Sequence, residues 1–217
     1  MGAGSELGVG SELGVGSELA SPRRFERLCV FCGSQSGRDP AYLAAARALG
    51  RLLAQRKITL VFGGGHVGMM GALAEAALAA GGAAIGVIPQ GLKKRELAYD
   101  GLTQLIVTSS MHERKQRMAD LSDGFIALPG GFGTLEEFCE ILTWAQLGLH
   151  AKPCGLLDVN GYYAALLRLF DHALGEGFLK PQHRQLVLTE HEPERLLAAM
   201  EHYRAPRIER WLTRDTA

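Results

Sequence analysis

The sequence carries no excess of charge of either sign: Lys plus Arg and Asp plus Glu each total 23. Without an overall field to draw the chain onto nucleic acid or an anionic membrane, neither is expected as a partner, and any anion must be held by local groups. Long apolar runs are missing too. Gly, Pro or a charged residue interrupts each one well before the ~20 residues that a membrane span requires. The N-terminus lacks the basic stretch and apolar block of a secretory signal, so a soluble, cytoplasmic protein is expected. Cysteine is scarce, with four residues in all. Cys29 and Cys32 form a C-x-x-C pair, but no second pair completes a zinc site. On a strand their side chains diverge to opposite faces, and reduced, buried thiols are expected. Two further patterns are absent. There is no P-loop Gly-Lys-Ser/Thr, and the first strand-to-helix turn lacks G-x-G-x-x-G with a downstream acid, which counts against NAD.

What is present suits one globular domain: 217 residues, 47% of them hydrophobic, bury a single substantial core. Residues 4–21 repeat the hexad GSELGV nearly three times with no aromatic residue, a composition that cannot build a core. Residues 1–25 therefore read as a flexible tail, 26–204 as the folded domain and 205–217 as a C-terminal tail. From Arg27 onward short apolar runs alternate with helical patterns. Strands are expected at 28–32, 59–62, 84–88, 104–107, 124–128 and 154–157, and helices at 40–56, 68–80, 111–122, 135–147, 162–176 and 193–203. Strands that are apolar throughout are buried on both faces, which predicts an α/β fold: a Rossmann-like parallel sheet with helices on both faces.

In such a sheet, ligands bind beyond the carboxyl ends of the strands. The loops there are Gly33-Ser34-Gln35-Ser36 after the first strand, Gly63-Gly64-Gly65-His66-Val67-Gly68 after the second and Pro129-Gly130-Gly131-Phe132-Gly133-Thr134 after the fifth. Glycine lets backbone N–H groups approach an oxyanion closely, and the helix that follows adds a favourable dipole. Together the three loops predict a phosphate cradle. The fifth-strand loop runs into Glu136 and Glu137. Glu136 is assigned to the helix dipole, whereas Glu137 falls on a second apolar side of its helix, shared with Ile141 and Trp144. A helix apolar on two sides is expected to be covered on both, by the sheet and by a second copy of the chain, so a homodimer or higher homo-oligomer is predicted. Arg114, at the start of the helix after the fourth strand, is placed to pair with Glu137 and keep it ionised.

These residues also carry a family resemblance. MHERK (111–115) followed by LPGGFGTLEE (128–137) resembles the signature pair of the LONELY GUY family of cytokinin riboside 5′-monophosphate phosphoribohydrolases, whose members are often labelled lysine decarboxylases. GGGHVGMMG, GVIPQGL with Arg95-Glu96-Leu97, LTWAQLGLHAKP and DVNGYY match in order and spacing, from about Cys29 to about Tyr203. The resemblance implies that Arg114 and Glu137 are the catalytic pair, that Gly130, Gly131, Gly133 and Thr134 hold the 5′-phosphate, and that Glu96 and Lys115 contact substrate; Ser34, Gly64 and Gly65 complete the expected cradle. His66 departs from the family, where Ser is common, and stands either as a donor near phosphate or as a solvent-facing residue. The decarboxylase label finds no pyridoxal phosphate site in the sequence.

The expected reaction is hydrolysis of the N-glycosidic bond of AMP or an N6-prenylated AMP to free base and ribose 5-phosphate, with no metal and no cofactor. An ionised carboxylate beneath the sugar stabilises positive charge developing at C1′. Neither His112 nor Asp123 is assigned as the acid that protonates the departing purine. A mononucleotide-sensing module with the same cradle is the alternative, since a fold by itself does not exclude it.

Overall fold

Alternation along the first strand sets the layers. In β1 (Arg27–Phe31) Leu28 and Val30 enter one apolar cluster, and Cys29 enters a second on the opposite face together with Phe31, as a period of two requires. The computed structural model describes residues 21–92, 99 and 101–208. Six further strands flank β1: β2 (Thr59–Phe62), β3 (Ala84–Pro89), β4 (Gln104–Thr108), β5 (Gly124–Ala127), β6 (Cys154–Leu157) and β7 (Val187–Glu190). All neighbours are parallel, in the order β4-β3-β2-β1-β5-β6-β7. Helices α1 (Pro40–Gln55), α2 (Gly68–Ala79) and α7 (Pro193–His202) supply the first cluster. Helices α3 (Met111–Leu121) and α4 (Phe132–Gln146) supply the second, with Leu166 and Leu167 of α5 (Ala164–Gly175) packed against it. The chain winds outward from β1 to β4 and returns to β5 on the other side of β1. The crevice at such a reversal is where open α/β sheets hold ligands.

Six strands fall within one residue of their expected limits. The seventh, β7, and the short helix α6 (Pro181–Arg184) were not anticipated. β7 is an edge strand only half buried, so it lacks the continuous apolar run that marks its neighbours, and its pairing with β6 alone defines it. Helix α4 begins at Phe132, three residues early, because Gly131 is its N-cap; Glu136 and Glu137 therefore lie in the second turn and not the first. A 3₁₀ turn at Val159–Gly161, with Asn160 at φ 53, delays α5 to Ala164. Phe25 is already buried in the core, and the Arg23 N–H donates to the Glu201 carbonyl at 2.8 Å. Cys29 and Cys32 diverge to opposite clusters, and all four thiols are unbridged. Among the described residues no helix is long and apolar enough to cross a membrane.

The buried face of α4 corrects one expectation. Thr134, Glu137, Phe138, Ile141 and Ala145 point inward, so Ile141 belongs to the core of its own chain, while Leu135, Leu142 and Trp144 remain partly exposed and Phe132 is exposed. The five buried positions form one i, i+3, i+4, i+7, i+11 stripe, which places Glu137 on the sheet side.

Helices α1 and α2 pack at close range through Gly50. A methyl group there would overlap the Leu73 carbonyl and stand 3.0 Å from the Ala77 nitrogen. Gly50→Ala gains about 1 kcal/mol of helix propensity, but overpacking against backbone costs more, ~1–3 kcal/mol or above. Urea denaturation should therefore show net destabilisation; a stabilised variant would mean that the two helices separate freely.

Candidate active site

Helices α1, α2, α3 and α4 all begin at the carboxyl edge of the sheet, but their first turns differ. Asp39 caps α1, its Oδ1 accepting from the Ala41 N–H at 2.8 Å. Ser110 caps α3 through the Glu113 N–H at 3.1 Å, and the Glu113 carboxylate accepts in turn from the hydroxyl and N–H of Ser109. Those bonds hold the Glu113 carboxyl below its usual range. By contrast, the N-caps of α2 and α4, Val67 and Gly131, make no side-chain bond. The first-turn N–H groups of α4 are left to water or to an anion, whereas in α2 the Met69 N–H is taken by a neighbouring loop.

The three glycine loops pack on one another. The Gly33 N–H donates to the Pro129 carbonyl at 3.1 Å, and the Met69 N–H to the Gly33 carbonyl at 3.2 Å. At Gly68, with φ +58, a side chain would strike the Ser34 carbonyl, so glycine is needed for both conformation and contact. Between loops one and five opens a cavity of about 330 Å³ lined by Ser34, Tyr42, Met69, Gly130, Gly131 and Tyr162, among others. Thr134 is buried directly beneath Gly130, whereas Gly131 and Gly133 have open space where a side chain would stand. Gly64 and Gly65 are buried on the β3 side of loop two, and the Gly64 carbonyl accepts from the Tyr99 N–H at 3.2 Å. They do not line the cavity.

One wall was not anticipated from the residues. The Tyr162 hydroxyl donates to the Gly130 carbonyl at 2.5 Å, and the Tyr163 hydroxyl to the Leu128 carbonyl at 2.6 Å. The Tyr163 N–H donates in turn to Asp158 Oδ1 at 2.6 Å. The segment after β6 thus braces loop five. Its signal in the sequence was DVNGYY, a strand end followed by two tyrosines.

Beside the cradle lies the expected ion pair. Arg114 Nη1 stands 3.4 Å from Glu137 Oε1, with side chains only 8% and 10% exposed. The Arg114 Nε donates to the buried Val87 carbonyl at 3.1 Å, and Nη1 reaches Met111 Sδ at 3.7 Å. Burial first, and the negative charge of Glu137 second, push the Cys29 and Cys32 thiols well above their ordinary range. Both thiols stay protonated.

Other expected residues sit elsewhere. Lys115 Nζ is engaged by Glu136 at 2.5 Å and Glu140 at 2.9 Å across the α3–α4 seam, so Glu136 is an ion-pair partner and not merely a dipole complement. Asp123 accepts from the N–H groups of Glu26 and Arg27 at 2.8 and 2.9 Å, at the opposite edge of the sheet. His66 pairs with Glu75 at 3.2 Å and stacks on Tyr99 with 4.5 Å between ring centroids; it is not part of the cradle. Glu96 lies outside the described residues.

Fold and site together define a Rossmann-like α/β protein with a candidate anion cradle at its switch point and a buried ion pair beside it. A family profile described as "Possible lysine decarboxylase" matches residues 70–200. The cytokinin riboside 5′-monophosphate phosphoribohydrolase LOG7 of Arabidopsis thaliana is 48% identical over 180 residues, 83% of each chain. The rice protein LOGL9, named probable cytokinin riboside 5′-monophosphate phosphoribohydrolase, is 50% identical over 83% of this chain and 79% of its own. Among solved structures, the molybdenum cofactor carrier protein of Chlamydomonas reinhardtii superposes with a TM-score of 0.61 at 25% identity, covering 82% of this chain and 95% of that one. The chain belongs to the family of the cytokinin riboside 5′-monophosphate phosphoribohydrolases.

The decarboxylase description does not fit the lysine at this seam. A Schiff-base lysine needs a depressed pKa. Burial lowers that of Lys115, but the bonds to Glu136 and Glu140 outweigh it and leave the net shift upward. Because the folded pKa lies above the ordinary 10.5, the stability that this cluster contributes is fully present below that pH and is lost as pH rises through the folded value. The melting-temperature difference between the protein and Lys115→Met should stay constant through neutral pH and shrink in strong alkali. A difference that grew there would show that the cluster does not hold the proton.

Proposed function

We infer that the chain hydrolyses the N-glycosidic bond of a purine nucleoside 5′-monophosphate, AMP or an N6-prenylated AMP of the cytokinin type, to free base and ribose 5-phosphate. The observation that carries this reading is the buried Arg114–Glu137 pair one helical turn beyond Thr134, beside an uncapped helix start. The 5′-phosphate takes the N–H groups of Gly131, Gly133 and Thr134, with Ser34 facing it across the cavity. The ribose then extends toward Glu137. As the bond to the purine breaks, positive charge builds at C1′ and the ring oxygen, and the carboxylate stabilises it. Water adds its oxygen to C1′, with Glu137 orienting it as general base; its two protons end on the new sugar hydroxyl and the departing purine. Arg114 fixes the carboxylate and keeps it ionised. A module that only held the nucleotide would have no use for a buried ionised pair, whose desolvation costs several kcal/mol.

A homodimer or higher homo-oligomer is the companion proposal. With Ile141 inside its own chain, the support comes from the partly exposed Trp144 and from Leu169 and Phe178, which are 58% and 88% exposed. Covering apolar side chains of that size with a second copy removes them from water, which favours association. Light scattering at micromolar concentration should give at least twice the 23.4 kDa of one chain, and Trp144→Glu should lower it; a monomer mass for the unaltered protein refutes the proposal.

Turnover is tested by chromatography of the products. AMP should yield adenine and ribose 5-phosphate, whereas adenosine, with nothing to occupy the cradle, should be a poor substrate. Glu137→Gln keeps the shape and removes the charge, so kcat should fall at least ~100-fold with little change in AMP affinity. Glu136→Gln should stay within several-fold. Equal kcat/KM for adenosine and AMP would remove the cradle, and normal kcat in both glutamate variants would remove the mechanism.

A further inference from the structure

We propose that Gly63 is a positioning residue for Arg114: the missing side chain at the carboxyl end of β2 is the slot in which the guanidinium lies, and that slot aims it at Glu137. What the aimed pair does rests on the phosphoribohydrolase reading; where it lies does not.

Three glycines follow β2, and only conformation explains the second. Gly64 has φ +79, a backbone that L side chains rarely adopt, whereas Gly63 is not among the residues with positive φ. Its requirement is spatial. A methyl group built on Gly63 would overlap Arg114 Nη2, and would stand 3.5 Å from Arg114 Cζ and 3.1 Å from Met70 Sδ. The guanidinium has no easy escape, because its Nε is tied to the Val87 carbonyl at 3.1 Å and its Nη1 lies between Glu137 Oε1 at 3.4 Å and Met111 Sδ at 3.7 Å. A rigid planar fork that is displaced at one tip turns at the other. Displacing Nη2 therefore moves Nη1 from Glu137.

The atoms in the way are the ends of two flexible side chains, and no backbone atom is among them. The fold accommodates a methyl group at Gly63 by letting Arg114 and Met70 shift, so the cost falls on the aim of the arginine and on the buried pair it forms, not on the packing of backbone. This differs from Gly50, where the obstacle is backbone.

The test is Gly63→Ala in the full chain, read three ways. Thermal unfolding should remain cooperative, with the midpoint lowered but the fold retained. Release of adenine from AMP should fall at least about tenfold in kcat/KM, but by less than about twofold when the same change is added to Arg114→Gln, since two substitutions acting through one group do not add. A crystal structure of Gly63→Ala should show Arg114 Nη1 farther than 4 Å from Glu137, the limit of a salt bridge. Unaltered activity with Arg114 in place overturns the proposal. So does an equal loss in both backgrounds, or loss of the fold. If the unaltered protein releases no adenine, the functional reading fails, and the crystallographic separation still decides whether Gly63 is the slot.

Discussion

A guanidinium and a carboxylate held together out of water constrain everything around them. Taking the two charges from solvent costs several kcal/mol each unless further polar contacts compensate. Here the Val87 carbonyl and the Met111 sulfur supply them on the arginine side. The pair joins α3 to α4, so it exists only if both helices start at the same edge of the sheet with their first turns in register. The parallel order of β4, β3, β2, β1 and β5 arranges this, because α3 and α4 follow β4 and β5 across the same face. The pair in turn fixes the spacing of the two helices above the end of β1, where the crevice opens.

That edge distinguishes closed helix starts from open ones. Asp39 and the Ser110–Glu113 box satisfy the first-turn donors of α1 and α3 from within the chain. Val67 and Gly131 supply no side-chain cap; in α2 the Met69 N–H turns to the Gly33 carbonyl, and the start of α4 stays open. An unfilled start is tolerable where water or an anion completes it. Placing the open start of α4 against Gly33 and beneath the Tyr162 wall concentrates unsatisfied donors in one cavity, while the packing of the loops on one another keeps that cavity from collapsing.

Lower on the same seam, Lys115, Glu136 and Glu140 form a second charged cluster with a different task. It is polar and partly exposed, and it ties α3 to α4 on the outer side as Arg114 and Glu137 do on the inner. The two cations are neighbours in sequence. Their side chains leave the helix about 100° apart, so one enters the core and the other stays at the rim.

Much of this was already determined by the sequence alone. Strands buried on both faces announce themselves as apolar runs, so six of seven were legible, and the glycine loops at their ends marked the edge where a ligand would sit. Arg114 and Glu137 were expected to meet, and they do, because each is fixed to a helix start by its own local motif. What the tertiary structure decided depends on residues far apart in the chain. β7 exists through pairing with β6, and Ile141 lies inside because α4 rotates to bury Glu137. Lys115 turns to Glu136 and Glu140, 21 and 25 residues away, and Tyr162 braces Gly130 across 32. The slot at Gly63 is filled by a side chain from another helix. Local pattern fixes which face of an element is apolar, but which group fills a gap on that face is set by the packing of elements that the pattern never sees together.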